Sequence, residues 1–362
     1  MKKKLNLRVR EWVEILSKEE ILKTMDKRGA VDNLPFMPEM FRYCGQRFKV
    51  FKRAHKTCDP PNGLGARRME CAVHLEDIRC DGQAHGGCQA GCLIFWKEVW
   101  LKRLGGEKGS SDDPVVGLPS ANDLRGILER CTEPDIWEGT RAPAELTICD
   151  NPTFICQSTQ LSCATETWRW WDLRQYLEDY TSGNVLLSKM LSAVLFFIYS
   201  NVAGAGIGLG SGLRWIYDCF QKVRGGTPYP WRTGKLPKGA TTHSSNLNLL
   251  PGEIVKVKSY SDILQTLDEN MLNRGLYFDG EMVPFTNKSF RVLKRIEQII
   301  DEKTGKMMTL KSDAFILENV TCQARYSKCR TFCSRSIYPY WREIWLERIE
   351  HSDRGLSNVL KD

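Results

Sequence analysis

Short stretches of alternating apolar and polar residues occur near both ends of the chain. In the first part, strands are predicted at 12–16, 48–53, 72–80 and 96–103. Ser17 followed by Glu20 forms a capping box, which predicts a helix that runs to about residue 26. Four or five short strands around one helix predict a small, strongly bent β-barrel of the SH3-like or KOW-like kind.

The same pattern occurs a second time. Residues 253–295 align without a gap on residues 11–53, and fifteen of the 43 aligned pairs are identical. Ser259 followed by Asp262 is a weaker form of the same helix cap. An internal repeat of this quality predicts an α+β chain that contains two copies of one barrel domain, each with a helix insertion.

Each copy ends in three cysteines. The first set is Cys80, Cys88 and Cys92, and the second is Cys322, Cys329 and Cys333. Nearly the same spacing recurs at equivalent points of two diverged copies, so we interpret both sets as metal ligands. Zinc and an iron–sulfur cluster both fit this spacing, and the cluster is favoured for the first set.

A closed zinc site usually needs a fourth donor. His85 lies inside the first cysteine loop, whereas Arg325 and Tyr326 occupy the second loop. Cys156, which is followed by polar residues, is the favoured donor from elsewhere in the chain. The two predicted sites therefore differ chemically, and this difference favours an active first copy and a supporting second copy.

A Trp-x-Glu-x-Trp-Leu phrase follows each cysteine set, with Glu98 in the first copy and Glu343 in the second. A carboxylate at this place is a candidate for proton transfer or for support of a metal ligand. The alternative is a strand position that faces solvent or pairs with a neighbouring basic residue.

The patterns divide the chain into five predicted segments. These are a first repeat at 1–103, a mainly helical insertion at 104–223, a linker at 224–251, a second repeat at 252–350 and a tail at 351–362.

The central insertion contains a 24-residue stretch, 190–213, without a formal charge. It is long enough to cross a bilayer, but its glycine-rich second half is a poor helix former. Three structures compete: a spanning helix, an amphipathic helix on a membrane surface, and a buried helical hairpin with a glycine-rich turn. We predict the buried hairpin and leave peripheral membrane contact open.

Composition narrows the functional classes. The chain has 14 cysteines among 362 residues, and its charged N-terminus lacks the apolar core of a secretory signal. A cytoplasmic protein with thiolate-bound metal is therefore expected. The net charge of +8 permits contact with nucleic acid or an anionic membrane but indicates neither, and nucleic-acid binding is not predicted.

Two hypotheses follow. In the first, this is a cytoplasmic metalloprotein with two cysteine-ligated sites that acts as a redox or biosynthetic enzyme on a small molecule. In the second, zinc stabilises a scaffold that binds a protein, nucleic-acid or membrane partner. The sequence does not identify the substrate or the partner.

Overall fold

The computed structural model describes residues 4–58, 65–104, 131–142, 153–206, 208–237, 240–326 and 330–349. Helices and antiparallel sheets are both present, which confirms the α+β class. The chain divides into two compact units: the first comprises residues 1–201, 298–309 and 323–337, and the second comprises the remaining residues. The five-segment division of the chain stays a prediction.

The largest sheet of the first unit has five antiparallel strands. The described strands of the whole unit are β1 (Trp12–Ile15), β2 (Ala30–Val31), β3 (Leu34–Pro35), β4 (Arg47–Arg53), β5 (Lys56–Cys58), β6 (Ala66–Arg68), β7 (Ala72–Leu75), β8 (Trp96–Lys97), β9 (Leu101–Arg103) and β10 (Glu166–Trp168). The large sheet has the order β8-β7-β4-β1-β9, and a smaller one has the order β10-β6-β5. Short 3₁₀ helices cover Pro38–Tyr43, Gln83–His85 and Glu98–Trp100.

Among the described residues, four α-helices begin in the first unit: α1 (Lys18–Leu22), α2 (Glu133–Glu138), α3 (Arg174–Thr181) and α4 (Leu187–Gly204). The predicted capping box at Ser17 is confirmed, because Ser17 and Glu20 each bond the backbone amide of the other. The helix ends at Leu22 and not near residue 26. The carboxylate of Asp26 accepts the amides of Arg28 and Ala30 and so forms a turn there.

Two predicted strands are shorter than expected. The strand predicted at 72–80 ends at Leu75, since Asp77 adopts a left-handed φ of 59° that a strand does not permit. The strand predicted at 96–103 is interrupted by the 3₁₀ helix Glu98–Trp100, which turns the Glu98 carboxylate inward to accept backbone amides.

The second unit has its own antiparallel sheet, of order β15-β14-β11-β16. Its elements are α5 (Gly210–Val223), β11 (Ile254–Val257), α6 (Tyr260–Leu264), β12 (Leu272–Asn273), β13 (Leu276–Tyr277), β14 (Ser289–Ile300), β15 (Met307–Leu317) and β16 (Leu346–Arg348). The far ends of β14 and β15 belong to the first unit. Two 3₁₀ helices cover Gly280–Phe285 and Glu343–Trp345.

Positions that match in the repeat make similar contacts in the two cores. The indole of Trp100 donates to the hydroxyl of Thr24 at 3.2 Å, and the indole of Trp345 donates to the hydroxyl of Thr266 at 3.0 Å. In each core this bond gives a partly buried indole N–H an acceptor, and the same hydroxyl donates to the carbonyl of the residue three positions earlier.

The central helices differ from the prediction in burial. The sequence places two helices around a glycine-rich turn, and α4 and α5 lie there. The predicted burial is wrong, because Leu195 is 69% exposed and Ile198 is 56% exposed. Judged only by its length and its apolar composition, α4 is long enough and apolar enough to cross a membrane.

The segment predicted as a linker, 224–251, contains no helix or strand among its described residues. It is nevertheless packed, since Tyr229 is buried and Leu236 forms a parallel bridge with Asp268. Residues 105–130, which form the first part of the predicted helical insertion, lie outside the described residues.

Candidate metal centre

Four cysteine side chains of the first unit line one small cavity. They are Cys80, Cys88, Cys92 and Cys156, and the cavity has a volume of about 40 Å³. This exceeds the space needed for a single water molecule. The structure thus brings together the first predicted cysteine set and the cysteine predicted from elsewhere in the chain.

The loop between Cys80 and Cys92 is closed by backbone contacts. The amide of Cys80 donates to the carbonyl of Cys92 at 2.9 Å, beside an antiparallel bridge between Arg79 and Leu93. Gly82 turns the loop with a φ of 72°, and a Cβ at this residue would lie 2.0 Å from the carbonyl oxygen of Cys88. The glycines of this loop therefore meet a packing requirement.

Cys156 reaches the cavity because the next residue is anchored. The side chain of Gln157 accepts the amide of Phe95 at 2.8 Å and donates to the carbonyl of the same residue at 2.9 Å. The amide of Cys156 donates to the hydroxyl of Thr159 at 2.9 Å. These bonds hold a distant part of the sequence against the end of the cysteine loop.

Two hydrogen bonds are directed at the sulfur atoms. The hydroxyl of Ser158 donates to Sγ of Cys92 at 3.6 Å, and the amide of Ile300 donates to Sγ of Cys88 at 3.4 Å. Donors aimed at sulfur stabilise a thiolate relative to a thiol.

Burial dominates the protonation of three of the four thiols, including that of Cys92. It raises the pKa of Cys80, and the nearby Glu39 carboxylate and the thiols of Cys92 and Cys156 raise it further. Burial also raises the pKa of Cys92, and it raises the pKa of Cys156 to about 12. A bound cation would remove this penalty, because it compensates the negative charges that burial and mutual repulsion disfavour.

His85 and Glu39 lie beside this cavity. A ligand atom from each of Glu39, Cys80 and His85 falls within 4.8 Å of the other two. Nδ1 of His85 lies 2.8 Å from Oε1 of Glu39, and its Nε2 lies 3.1 Å from the carbonyl oxygen of Ile155. Both neighbours are hydrogen-bond acceptors, so the ring is already engaged on both sides.

A buried ion pair at the cavity was not identified from the sequence. Arg335 pairs with Glu302, donates to the hydroxyl of Ser158 at 3.2 Å and donates to the carbonyl of Cys58 at 3.3 Å. Glu302 also lines the cavity. The only sequence signal was the position of Arg335 two residues after Cys333.

Two cysteines of the second predicted set, Cys322 and Cys333, lie in the described part of the chain. Cys333 belongs to the first unit, where its sulfur accepts the amide of Cys58 at 3.1 Å. Burial opposes ionisation of Cys333, but hydrogen bonds and the charge of Arg335 prevail and lower its pKa to about 6. Cys322 belongs to the second unit, and Cys329 lies outside the described residues. The second metal site stays a prediction.

The two glutamates proposed for proton transfer are engaged by backbone. Glu98 accepts the amides of Leu5 at 2.7 Å and Leu7 at 3.1 Å. Glu343 accepts the amides of Leu247 at 2.9 Å and Leu249 at 3.2 Å. These contacts give each carboxylate a structural task, and the catalytic role stays a prediction.

The twelve cysteines in the described part of the chain form no disulfide with one another. No protein-family model matches the sequence, and no similar curated protein or solved structure was found. The cavity and its donor atoms are therefore the features of the molecule that bear on its function.

Proposed function

We propose that the protein is an iron–sulfur redox protein whose cluster is held by Cys80, Cys88, Cys92 and Cys156. The observation that carries this proposal is that four thiols from two distant segments line one small, largely apolar cavity. Four cysteine ligands are the common set for both [2Fe–2S] and [4Fe–4S] clusters.

The described cysteines do not place three sulfur atoms at the close spacing of a single zinc site. In a tetrahedral site with Zn–S bonds of about 2.3 Å, the sulfur atoms lie about 3.8 Å apart. Among the described residues, no three cysteines bring their sulfurs within 4.8 Å of one another. Ligands of a cluster lie further apart, because several iron and sulfide atoms separate them.

The number of cysteine ligands indicates whether a cluster would bind substrate or only transfer electrons. Three cysteines would leave one corner of a cluster open for substrate, whereas the addition of Cys156 completes four ligands. A closed set suits electron transfer, so a redox role in a biosynthetic reaction is our preferred function. The donors on Cys92 and Cys88, from Ser158 and Ile300, would then raise the reduction potential.

A zinc-stabilised binding module is the second candidate. The observation that favours it is the grouping of Glu39, Cys80 and His85, which are all residue types that bind zinc. Oε2 of Glu39 is buried and has no hydrogen-bond partner among the described residues. In that case His85 would exchange one of its present hydrogen bonds for the metal.

Metal analysis separates the two candidates. We would purify the protein without oxygen, record its visible spectrum and measure iron, acid-labile sulfide and zinc per chain. Iron and sulfide in equal amounts with a brown colour support the cluster. Stoichiometric zinc in a colourless protein supports the second candidate, and absence of all three contradicts both.

A cysteine pair provides a matched control for the ligand set. Cys156→Ser is expected to remove most of the iron, because Cys156 lines the cavity. Cys163→Ser alters an exposed cysteine seven residues later and is expected to leave the iron content unchanged. Equal iron in both variants would exclude Cys156 as a ligand.

We also propose that the two cores derive from one ancestral SH3-like barrel module. The repeated contacts support this proposal, as do matched backbone angles: Asn6 and Asn248 have left-handed φ values of 47° and 48°. Glu98 and Glu343 bind the residues on either side of those asparagines. An experimental structure of the full chain, with one core superimposed on the other, would test this relation directly.

A further inference from the structure

Helix α3 has its polar side inward and its apolar side outward. The buried side chains are Gln175 and Asp179, and Asp179 forms an ion pair with the buried Lys56. Leu173 and Leu177 are 76% and 64% exposed. A surface helix of a soluble protein normally shows the opposite arrangement.

Helix α4 also has large apolar side chains on its exposed side, although its buried stripe is itself mainly apolar. Its buried stripe contains Ala193, Phe196 and Ser200, with Phe196 against the ring of Tyr326. Its large apolar side chains are outside this stripe, and the exposed ones are Leu187, Leu191, Val194, Leu195, Phe197, Ile198 and Val202. Single exposed apolar residues are normal, but a continuous set on one helix marks an interaction surface.

Two tryptophans border this surface. Trp170 and Trp171 are about half exposed, at 49% and 55%. The ring of Trp170 lies 6.0 Å from the ring of Phe197 on α4, and Arg169 lies over Trp171 at 5.1 Å. Tryptophan beside a basic residue is typical of protein groups at the boundary between lipid headgroups and acyl chains.

Helix α5, in the second unit, is inverted as well. Its polar side chain Asp218 accepts the amide of Tyr229 at 2.7 Å and pairs with Arg232. No residue of α5 is buried, and its exposed apolar side includes Trp215, Ile216, Phe220 and Val223. The Asp218 side chain of α5 therefore contacts the protein, whereas the large apolar side chains of this helix are exposed.

The positive charge of the segment that contains the exposed helices indicates which kind of surface they contact. From residue 166 to residue 252, the part of the sequence that includes α3, α4 and α5, there are nine lysines and arginines and five acidic residues, a net charge of +4 out of +8 for the chain. Two of the basic residues, Lys222 and Arg224, lie at the end of α5. Positive charge beside an exposed apolar helix matches a surface that is both apolar and anionic.

We propose that each unit inserts its own exposed apolar helix surface, α3 with α4 in the first unit and α5 in the second, into the headgroup region of an anionic phospholipid membrane. The helices lie in the interface and do not cross it. The buried stripe of α4 keeps that helix on the protein, and at 18 residues it is about 27 Å long, slightly short of the hydrocarbon core. The proposal is independent of the cysteine cavity.

Vesicle sedimentation with the full chain tests the proposal. We expect binding to vesicles of phosphatidylcholine mixed with phosphatidylglycerol, weak binding to phosphatidylcholine alone, and release at high salt. The double variant Leu195→Ser with Ile198→Ser should weaken partition about tenfold, because two half-exposed aliphatic side chains no longer enter lipid. Leu293→Ser changes an exposed leucine on β14 and should bind like the unmodified protein.

Three results would overturn the proposal. They are no binding to either vesicle, equal binding to both vesicles, and a dimer in vesicle-free solution that the double variant dissociates. The last result would mean that a second copy covers this surface. Quenching of tryptophan fluorescence by lipids brominated on the acyl chain needs no variant, and its absence with bound vesicles would also contradict insertion.

Discussion

Oε1 of Glu39 lies 2.8 Å from Nδ1 of His85, and both side chains are buried. The same oxygen accepts the amide of Ala84 at 3.1 Å and lies 3.9 Å from Sγ of Cys80. The Glu39 carboxylate therefore holds the backbone at Ala84, the ring of His85 and the thiol of Cys80 in place.

The variant Glu39→Gln keeps a hydrogen-bond acceptor at this position but removes the negative charge. We expect it to lower the free energy of unfolding by about 1–3 kcal/mol.

The metal content of Glu39→Gln tests the role of this contact at the cavity. We expect a reduced iron content, because the loop that carries Cys80 and Cys88 is less well positioned. Glu281→Gln, at the matching position of the repeat in the second unit, is the control and should retain its iron. If both variants bind the same amount of iron, Glu39 has no part in cluster binding.

Gly82 offers a second test of the cysteine loop. A Cβ at this position would lie 2.0 Å from the carbonyl oxygen of Cys88, so Gly82→Ala forces the backbone of the loop to move. We expect loss of most of the iron and destabilisation of about 2–4 kcal/mol, measured by urea unfolding and iron analysis.

Gly45→Ala separates backbone strain from the steric clash. Gly45 has a φ of 74°, close to the 72° of Gly82, and no atom of the described residues lies within 4 Å of the position that a Cβ would take there. This variant should lose about 1–2 kcal/mol through left-handed strain alone and keep its iron. Equal effects of the two substitutions would show that the contact with Cys88 is unimportant.

Local signals in the sequence predicted the helix starts well. Ser17 and Ser259 cap α1 and α6 as expected, because a capping box depends only on residues three positions apart. Strand lengths were less accurate, since the end of β7 depends on the turn at Asp77 and the interruption at Glu98 depends on amides more than 90 residues away.

The candidate site was predictable in part. The spacing of Cys80, Cys88 and Cys92 indicates a shared site, and Cys156 was selected because polar residues follow it. No local sequence pattern predicts that Glu302 and Arg335 lie at the cavity, because their ion pair forms between residues that are distant in the sequence. The exposure of α4 was also missed, because an apolar helix in a core and one on a surface have the same composition.

Glu98 allows the structural and catalytic interpretations to be compared. Glu98→Gln weakens its hydrogen bonds to Leu5 and Leu7, so we expect a loss of about 1–2 kcal/mol in the free energy of unfolding with normal iron content. Glu343→Gln should have a similar effect on stability through Leu247 and Leu249. Unchanged stability with altered redox cycling of Glu98→Gln would instead favour proton transfer.

His74 predicts a pH dependence of stability. Its imidazole is fully buried, Nδ1 lies 2.9 Å from the carbonyl oxygen of Ile94, and burial lowers its pKa from 6.5 to about 3. The unfolded chain therefore binds a proton below pH 6.5 that the folded protein binds only near pH 3. The free energy of unfolding should fall as pH decreases through this interval and stay constant, for this group, above it.

The variant His74→Gln isolates this effect, because glutamine does not titrate and retains a donor for the carbonyl of Ile94. Between about pH 7.5 and about pH 5, the wild-type protein should lose roughly 2 kcal/mol more than the variant in urea unfolding. Comparing the two losses cancels the contribution of the carboxylates, which both proteins share. Identical losses would mean that His74 binds its proton equally well in the folded and unfolded chains.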